Sequence, residues 1–157
     1  MDSARTFFVT TVTAQRRRIF LNDRMARVFI DTLLRYRHEG KFAVHEFVLM
    51  PDHFHALLTP SPSVSLEKSM QFIKGGFPFR AKRELEYPFE IWEPSFTNHR
   101  IRDAADYGCH VEYIRRNPIK GGLKEPYPYS SVVEALAMDE PPPGLKPISL
   151  LAAVSPG

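Results

Sequence analysis

The chain has 157 residues, of which 43% are hydrophobic and 25% are charged. This length and composition predict one globular domain with a real core and are too small for two domains. The single cysteine, Cys109, excludes an internal disulfide and a zinc site built mainly from thiolates, and no apolar run reaches the ~20 residues of a membrane helix. Because the N-terminus shows no secretory signal, we expect a cytoplasmic protein.

The first part of the chain predicts a strand, a helix and a hairpin. A β-branched and aromatic run indicates a strand near 5–13, and capping residues bound a helix between about 22 and 40. Two further strands are expected over 42–50 and 53–59. The tight Pro51-Asp52 turn between them predicts an antiparallel hairpin.

A second helix is expected to start after Ser65, which is a suitable N-cap. Gly75, Gly76 and Pro78 then interrupt the helical pattern, so we expect a kink or break there, with helix resuming over 80–85.

The last predicted elements are a strand and two helices. The fourth strand is expected over 91–101. Asp103 can cap the next helix, which should run to about Asn117 because Pro118 would stop it. A short helix is predicted over 130–137.

This order of elements predicts an α+β fold. We expect an antiparallel four- to five-stranded sheet with helices on one face, in a ferredoxin-like or RRM-like arrangement. One domain should cover residues 1–138, and the proline-rich segment 139–157 should form an extended or disordered tail. A fold of this kind does not by itself identify a function.

The chain is mildly basic, with a net charge of +3 and a pI of about 9.1. Aromatic residues are interleaved with the cations, and this combination suits the phosphates and exposed bases of single-stranded nucleic acid. The alternative is a solvated charged face with core aromatics behind it. The candidate DNA-binding cations are Arg16, Arg17, Lys74, Arg80, Lys82, Arg83, Arg100, Arg102, Arg115, Arg116 and Lys120.

Two histidines open the third predicted strand. Because side chains alternate along a strand, His53 and His55 should project from one face while Phe54 enters the core. Two imidazoles placed in this way can share a metal ion. The alternative is a half-buried structural pair, since a His-x-His motif is weak evidence alone.

Tyr113 and Asn117 are four residues apart in a predicted helix, so they should lie on one helix face, one turn apart. Asn117 could supply an oxygen ligand, although a core tyrosine and a helix-terminal asparagine are the alternatives. His45 and His110 could line the same site or be structural histidines. Other possible nucleophiles in principle are Tyr107, Tyr127 and Tyr129.

Taken together, the segments around the histidines and the tyrosine are far more specific than either alone. Residues 48–58 and 113–123 resemble the IS200-like Y1 transposases of the His-hydrophobic-His (HUH) endonuclease superfamily. Within that superfamily the similarity is strongest to the REP-associated tyrosine transposases, which act on hairpins in repeated extragenic palindromes. The resemblance extends from the first strand to about Ser131.

The resemblance implies an HUH endonuclease fold, with His53, His55 and Asn117 as metal ligands and Tyr113 as the nucleophile. It implies cleavage and rejoining of single-stranded, hairpin-containing DNA through a covalent 5′-phosphotyrosine bond. The implied cofactor is Mg²⁺ or Mn²⁺, and the protein would act as a monomer or a homodimer. The alternatives are a non-catalytic ferredoxin-like module that binds single-stranded nucleic acid and a histidine-based metal hydrolase of small substrates.

Overall fold

The computed structural model describes residues 4–133 and 138–146. In these two ranges the helices and strands are, in chain order, β1 (Phe7–Val12), α1 (Asp23–His38), β2 (Phe42–Met50), β3 (His53–Pro60), α2 (Leu66–Leu85), β4 (Thr97–Arg100) and α3 (Ala104–Lys120). Short 3-10 helices occupy Ala14–Arg16, Ile19–Leu21 and Pro143–Leu145. The strands form an antiparallel sheet in the order β2-β3-β1-β4. This βαββαβ order, followed by α3, confirms the predicted ferredoxin-like α+β fold.

The two faces of the sheet are covered by different helices. Alternate side chains of β2 and β3, including Phe47 and Phe54, enter the larger core together with Phe29 of α1 and Phe77 of α2. The intervening residues of those strands pack on the other face, in a smaller core that includes Ile114 of α3. The expectation of helices on one face therefore holds for α1 and α2, while α3 covers part of the opposite face.

Of the predicted kink or break in α2, the break is wrong, because Leu66–Leu85 is one continuous helix. Gly76 lies where α2 approaches α1 closely. A Cβ at this position would lie 2.3 Å from the Tyr36 hydroxyl oxygen. A Cβ on Gly75 would meet nothing within 4 Å. Gly76 thus marks a helix–helix contact rather than a helix end.

The predicted end of α3 at Asn117 is early by one turn. Pro118 lies inside the helix, which continues to Lys120. A proline in the last turn removes a single helical hydrogen bond, and the chain then closes through a bond from the Gly121 N–H to the Asn117 carbonyl.

The chain between α2 and α3 contains less strand than predicted. The β4 strand covers Thr97–Arg100 alone, while Trp92 forms an isolated bridge with Thr13. Pro94 lies between these two segments and cannot donate to a ladder, which explains the shorter strand.

The helix predicted over 130–137 is wrong at its start. Ser130 forms a bridge with Val48, and the Leu49 N–H donates to the Tyr129 carbonyl, so this segment follows the edge of β2. Residues 134–137 lie outside the described residues. Asp139 accepts hydrogen bonds from Arg37 and from the Val44 N–H. The division into a domain over 1–138 and a tail over 139–157 stays a prediction.

Within the described ranges, no helix is both long enough and apolar enough to cross a membrane.

Candidate metal centre and nucleophile

His53 and His55 lie at the start of β3 and project toward the sheet face that carries α3. Their ring centroids are 4.7 Å apart. Phe54, between them, is fully buried in the larger core, as the alternation of the strand predicts. His55 is 5% exposed and His53 is half-buried.

Each of these imidazoles is held by a neighbour through Nδ1. His53 Nδ1 donates to Asp52 Oδ1 at 2.7 Å, and the other oxygen of Asp52 accepts from Arg16 at 3.2 Å. His55 Nδ1 lies 2.7 Å from the Thr10 hydroxyl oxygen. A carboxylate or hydroxyl on Nδ1 fixes the ring and leaves Nε2 for a ligand, which is the arrangement found around metal-binding histidines.

Electrostatics favour a neutral His55 and an ionised Asp52. Burial lowers the pKa of His55 to about 3, and the charges of His53 and Arg16 act in the same direction. Burial opposes the charged form of Asp52, but the hydrogen bond from His53 and the charge of Arg16 outweigh it and lower the pKa of this carboxyl. A neutral imidazole is the form that binds a metal ion.

Tyr113 lies next to this pair, on α3. Its ring meets that of His55 edge to face at a centroid distance of 5.3 Å and that of Phe8 at 5.8 Å. The residue is 42% exposed, and its hydroxyl forms no hydrogen bond with any other described residue. Lys120 places its Nζ 5.9 Å from the centroid of the Tyr113 ring.

The other candidate tyrosines are engaged elsewhere. Tyr107 is 4% exposed, and burial raises the pKa of its hydroxyl. The Tyr127 hydroxyl donates to the Leu49 carbonyl, and burial raises the pKa of Tyr127 as well. The Tyr129 hydroxyl donates to Asp23. An accessible hydroxyl beside the histidine pair therefore distinguishes Tyr113 from these three.

Asn117 lies one turn after Tyr113 and is 9% exposed. Its side-chain amide forms no hydrogen bond within the described part of the chain. The end of α3 is close to β2, since a Cβ on Gly121 would lie 2.9 Å from Cε of Met50, which pairs with His53. The Asn117 amide oxygen, on the helix that carries Tyr113, is therefore available to a ligand and is the candidate for the third ligand position.

His45 does not join this site. Its ring lies between the Thr59 hydroxyl at 2.7 Å and the Asp139 carbonyl at 2.8 Å. Thr59 is four residues farther along β3 than His55, about 13 Å at about 3.3 Å per residue. Of the two alternatives for His45, these contacts favour a structural histidine over a position beside the candidate metal ligands.

The ring of Phe8 lies between His110 and the histidine pair. The His110 ring packs on Phe8 at a centroid distance of 4.7 Å, and Phe8 in turn stacks on His55 at 5.2 Å. His110 Nδ1 donates to the Asp106 carbonyl oxygen. Phe8 thus separates His110 from the candidate ligands.

The predicted DNA-binding cations differ in whether their side chains are already bonded within the protein. Ion pairs with acidic side chains engage Arg16, Arg80, Arg83, Arg115 and Arg116. Arg17 and Lys74 donate to backbone carbonyls of residues 90–95. Among the described residues, the predicted cations that are exposed and whose side chains form neither an ion pair nor a hydrogen bond are Lys82, Arg100, Arg102 and Lys120.

A cavity of about 340 Å³ is lined in part by Thr10, the residue whose hydroxyl bonds His55. Its lining combines the cation of Arg16, the carboxylate of Glu93, several hydroxyls and the ring of Phe96. Gln15 and Arg16 at its rim have left-handed backbone conformations, with φ of 56° and 52°. Such strain in non-glycine residues is common where a site fixes side-chain direction, and here it places Arg16 against Asp52.

Thr10 and Phe8 are site residues that the sequence did not indicate. Both belong to β1, and the register that pairs Thr10 with His55 becomes visible in the folded sheet alone. A threonine and a phenylalanine in a strand are unremarkable in sequence, so no local pattern could have identified them.

The family is established by comparison with known proteins. Residues 5–117 match the family model described as "Transposase IS200 like". The chain belongs to this IS200-like transposase family. The matched region includes all four candidate site residues, His53, His55, Tyr113 and Asn117.

Individual relatives agree with this assignment. The chain is 28% identical over 113 residues to the REP-associated tyrosine transposase of Escherichia coli K12, a match covering 71% of this chain. That match spans 66% of the relative, slightly under two thirds of its length.

Solved structures show the same fold. One is a REP-associated tyrosine transposase bound to a REP hairpin, with a TM-score of 0.68 at 27% identity over 80% of this chain and 75% of that chain. A Deinococcus radiodurans structure matches with a TM-score of 0.56 at 20% identity, over 74% of this chain and 92% of that chain.

Proposed function

We propose that this protein cuts and rejoins single-stranded DNA through a covalent bond between Tyr113 and a 5′-phosphate. The main support is the position of Tyr113: its ring contacts the buried, neutral His55, while its hydroxyl is accessible and unbonded among the described residues. Membership of the IS200-like transposase family supports the same reaction class.

We infer that His53, His55 and Asn117 hold a divalent metal ion, Mg²⁺ or Mn²⁺. Two imidazole nitrogens and an amide oxygen suit Mn²⁺ better than Mg²⁺, and three ligands leave room for a phosphate oxygen and water. When bound, the metal would neutralise charge on the scissile phosphate and orient it.

The bond-making step of the proposed reaction belongs to Tyr113. Tyr113 Oη would attack phosphorus and lose its proton, the bond from phosphorus to the 3′ oxygen would break, and that oxygen would take up a proton. A phenol has a pKa of about 10 in water, so the step requires a correctly placed hydroxyl and a positive surrounding. The reverse attack by the 3′-hydroxyl would rejoin the strand without another energy source.

The neighbourhood of the site suits a single strand. We propose that the cavity lined by Thr10, Phe96 and Thr97 takes a nucleotide next to the scissile phosphate, with Phe96 available for stacking. The similar transposase structure is bound to a REP hairpin, and we propose a hairpin-bearing single strand as the substrate here.

The test is an adduct assay with hairpin-bearing single-stranded DNA and Mn²⁺. We expect a covalent protein–DNA species on a denaturing gel, and we expect Tyr113→Phe to abolish it. Tyr87→Phe is the matched control, because Tyr87 is half-buried outside this site and should keep full adduct formation. DNA binding with steep salt dependence but no adduct would instead favour a binding module.

Metal dependence is tested in the same assay. Treatment with EDTA should stop adduct formation, and Mn²⁺ should restore it in the wild-type chain. We expect His53→Ala to weaken Mn²⁺ binding, measured by calorimetry. The same substitution should lower the yield of adduct on the gel. Adduct formation that persists in EDTA would contradict the metal role.

A further inference from the structure

A second group of potential ligands lies on the far side of Phe8 from the candidate metal centre. It consists of His99 on β4 and of Asp106 and His110 on α3. One ligand atom from each residue lies within 4.8 Å of the others. We call this group the edge cluster, because β4 is an edge strand of the sheet.

The contacts in the edge cluster already converge on one carboxylate. His99 Nε2 lies 2.8 Å from Asp106 Oδ2, and His110 Nδ1 lies 3.2 Å from Asp106 Oδ1. The two imidazole rings are stacked at 4.9 Å with an interplanar angle of 21°. Asp106 and His110 are four residues apart, the spacing that puts two side chains on one helix face and allows both to bind one ion.

The charge and exposure of the edge cluster also suit a cation. Burial opposes ionisation of Asp106, but bonds from the Arg102 N–H and from His99 outweigh it and lower the pKa of the carboxyl. The side chains of His99, Asp106 and His110 are 39%, 21% and 23% exposed, so an ion could reach them from solvent. To bind the ion, His99 Nε2 and His110 Nδ1 would each have to release the hydrogen bond to Asp106 and the proton that forms it.

We propose that His99, Asp106 and His110 form a second metal site, for Zn²⁺ or a similar transition-metal ion. Two imidazoles and one carboxylate are a common three-ligand set for Zn²⁺, with water in the fourth position. The ion would tie β4 to α3, the helix that contains Tyr113, and so hold the helix in place on the sheet. This site is separate from the His53 and His55 centre and does not depend on the proposed reaction.

The test counts Zn²⁺ bound to the full-length chain after removal of metal with EDTA. All variants contain Cys109→Ser, because the exposed thiol of Cys109 could bind Zn²⁺ by itself. In the double variant His53→Ala/His55→Ala we expect one remaining equivalent of Zn²⁺ by calorimetry. Adding His99→Gln or His110→Gln should weaken that binding by more than about 100-fold, since even an outer-shell partner costs about 10–100-fold.

The control and a second readout make the result decisive. His38→Gln in the same background should leave binding unchanged, because His38 is an exposed histidine at the end of α1. Crystals of the full-length chain grown with Zn²⁺ should show an anomalous peak between His99, Asp106 and His110. No Zn²⁺ binding in the double variant, equal binding after His99→Gln, or a peak confined to His53 and His55 would overturn the proposal. Adduct formation is not a readout here, so failure of the proposed function would leave this result intact.

Discussion

At the scale of single residues, Asp52 connects a cation to a candidate metal ligand. It accepts a hydrogen bond from His53 Nδ1 through one oxygen and from Arg16 through the other. Asp52 thereby sets the orientation of the His53 ring and increases the basicity of its Nε2. We therefore assign Asp52 a positioning role rather than a place among the ligands.

Replacing Asp52 tests that role. Asp52→Asn keeps the shape but removes the charge, so we expect Mn²⁺ affinity to fall about 10–100-fold, as for other outer-shell partners. Calorimetry measures the affinity directly. Asp31→Asn is the control, because Asp31 pairs with Arg35 and Arg80 on the helices α1 and α2, away from this site. Equal Mn²⁺ affinity in wild type and Asp52→Asn would contradict the positioning role.

His45 predicts a pH dependence of stability. Its Nδ1 donates to the Asp139 carbonyl, so Nε2 must accept from the Thr59 hydroxyl, and a second proton would break that bond. Burial accordingly lowers the pKa of His45 below its ordinary value of about 6.5. Below that pH the unfolded chain takes up a proton that the folded chain does not, so the free energy of unfolding falls as the pH decreases.

The contribution of His45 is measured against His45→Gln, with both proteins in EDTA. Wild type should lose up to about 1.4 kcal/mol more per pH unit below about pH 6.5 than the variant. Chemical denaturation at pH 7, 6 and 5 gives the two slopes. The comparison is needed because His55, whose pKa is also lowered, adds a slope of the same sign in both proteins. Identical slopes would show that His45 is not buried in neutral form.

At the scale of elements, the contact between α1 and α2 gives opposite expectations for adjacent glycines. Gly76→Ala would push a methyl group against Tyr36, whose ring is stacked on Phe72 and resists displacement. Overpacking costs about 1–3 kcal/mol and helix propensity returns up to about 1, so we expect a net loss of about 1 kcal/mol. Gly75→Ala meets open space and should gain about 0.5–1 kcal/mol. Denaturant titration of both variants checks this, and a stabilising Gly76→Ala would refute the close approach.

The same elements show what the sequence could and could not predict. Periodicity and caps identified β1 to β3 and α1, because each is bounded by residues that act locally, such as the Asn22 cap of α1. Gly76 and Pro118 were misinterpreted as breaks because their roles depend on Tyr36 and on the bonds that close the end of α3. The pairing of Ser130 with β2 is likewise a tertiary contact.

At the scale of the whole molecule, the distribution of charge matters more than the net charge of +3. Arg80, counted in the sequence among DNA-binding cations, bonds Asp31 and Thr32 of α1 and Glu84 of its own helix. Its side chain is 14% exposed. Such a cation joins two helices, whereas Lys120 lies beside Tyr113 and is exposed. The sequence alone does not reveal whether a basic residue joins two helices or is available to bind DNA.

Two substitutions separate these roles. Lys120→Gln should weaken binding of hairpin-bearing single-stranded DNA and reduce the slope of log affinity against log salt by about 0.7, the value for one phosphate contact. Arg80→Gln should leave that slope unchanged and lower the melting midpoint, because it removes the bonds from Arg80 to Asp31 and Thr32 that help to join α1 and α2. Fluorescence anisotropy over a salt series and a thermal melt measure the two effects. A salt slope changed by Arg80→Gln and not by Lys120→Gln would reverse the assignment.

The candidate site itself was predictable in part. The motifs around His53, His55, Tyr113 and Asn117 indicated which side chains to group, although β3 and α3 are far apart in the chain. The partners that hold them, Thr10 and the Phe8 ring, depend on strand register and could not be predicted. For the same reason the sequence leaves open whether His45 on β2 lines the site or is structural, and its bond to Thr59 favours the structural role.

The proposed reaction joins Tyr113 covalently to a DNA 5′-phosphate. Peptide mapping by mass spectrometry tests this bond directly in the species formed with hairpin-bearing single-stranded DNA and Mn²⁺. We expect a nucleotide-modified peptide in which the phosphate is attached to Tyr113, and a second DNA product with a free 3′-hydroxyl. A phosphate attached to Tyr107, Tyr127 or Tyr129, or cleaved DNA with no modified peptide, would contradict it.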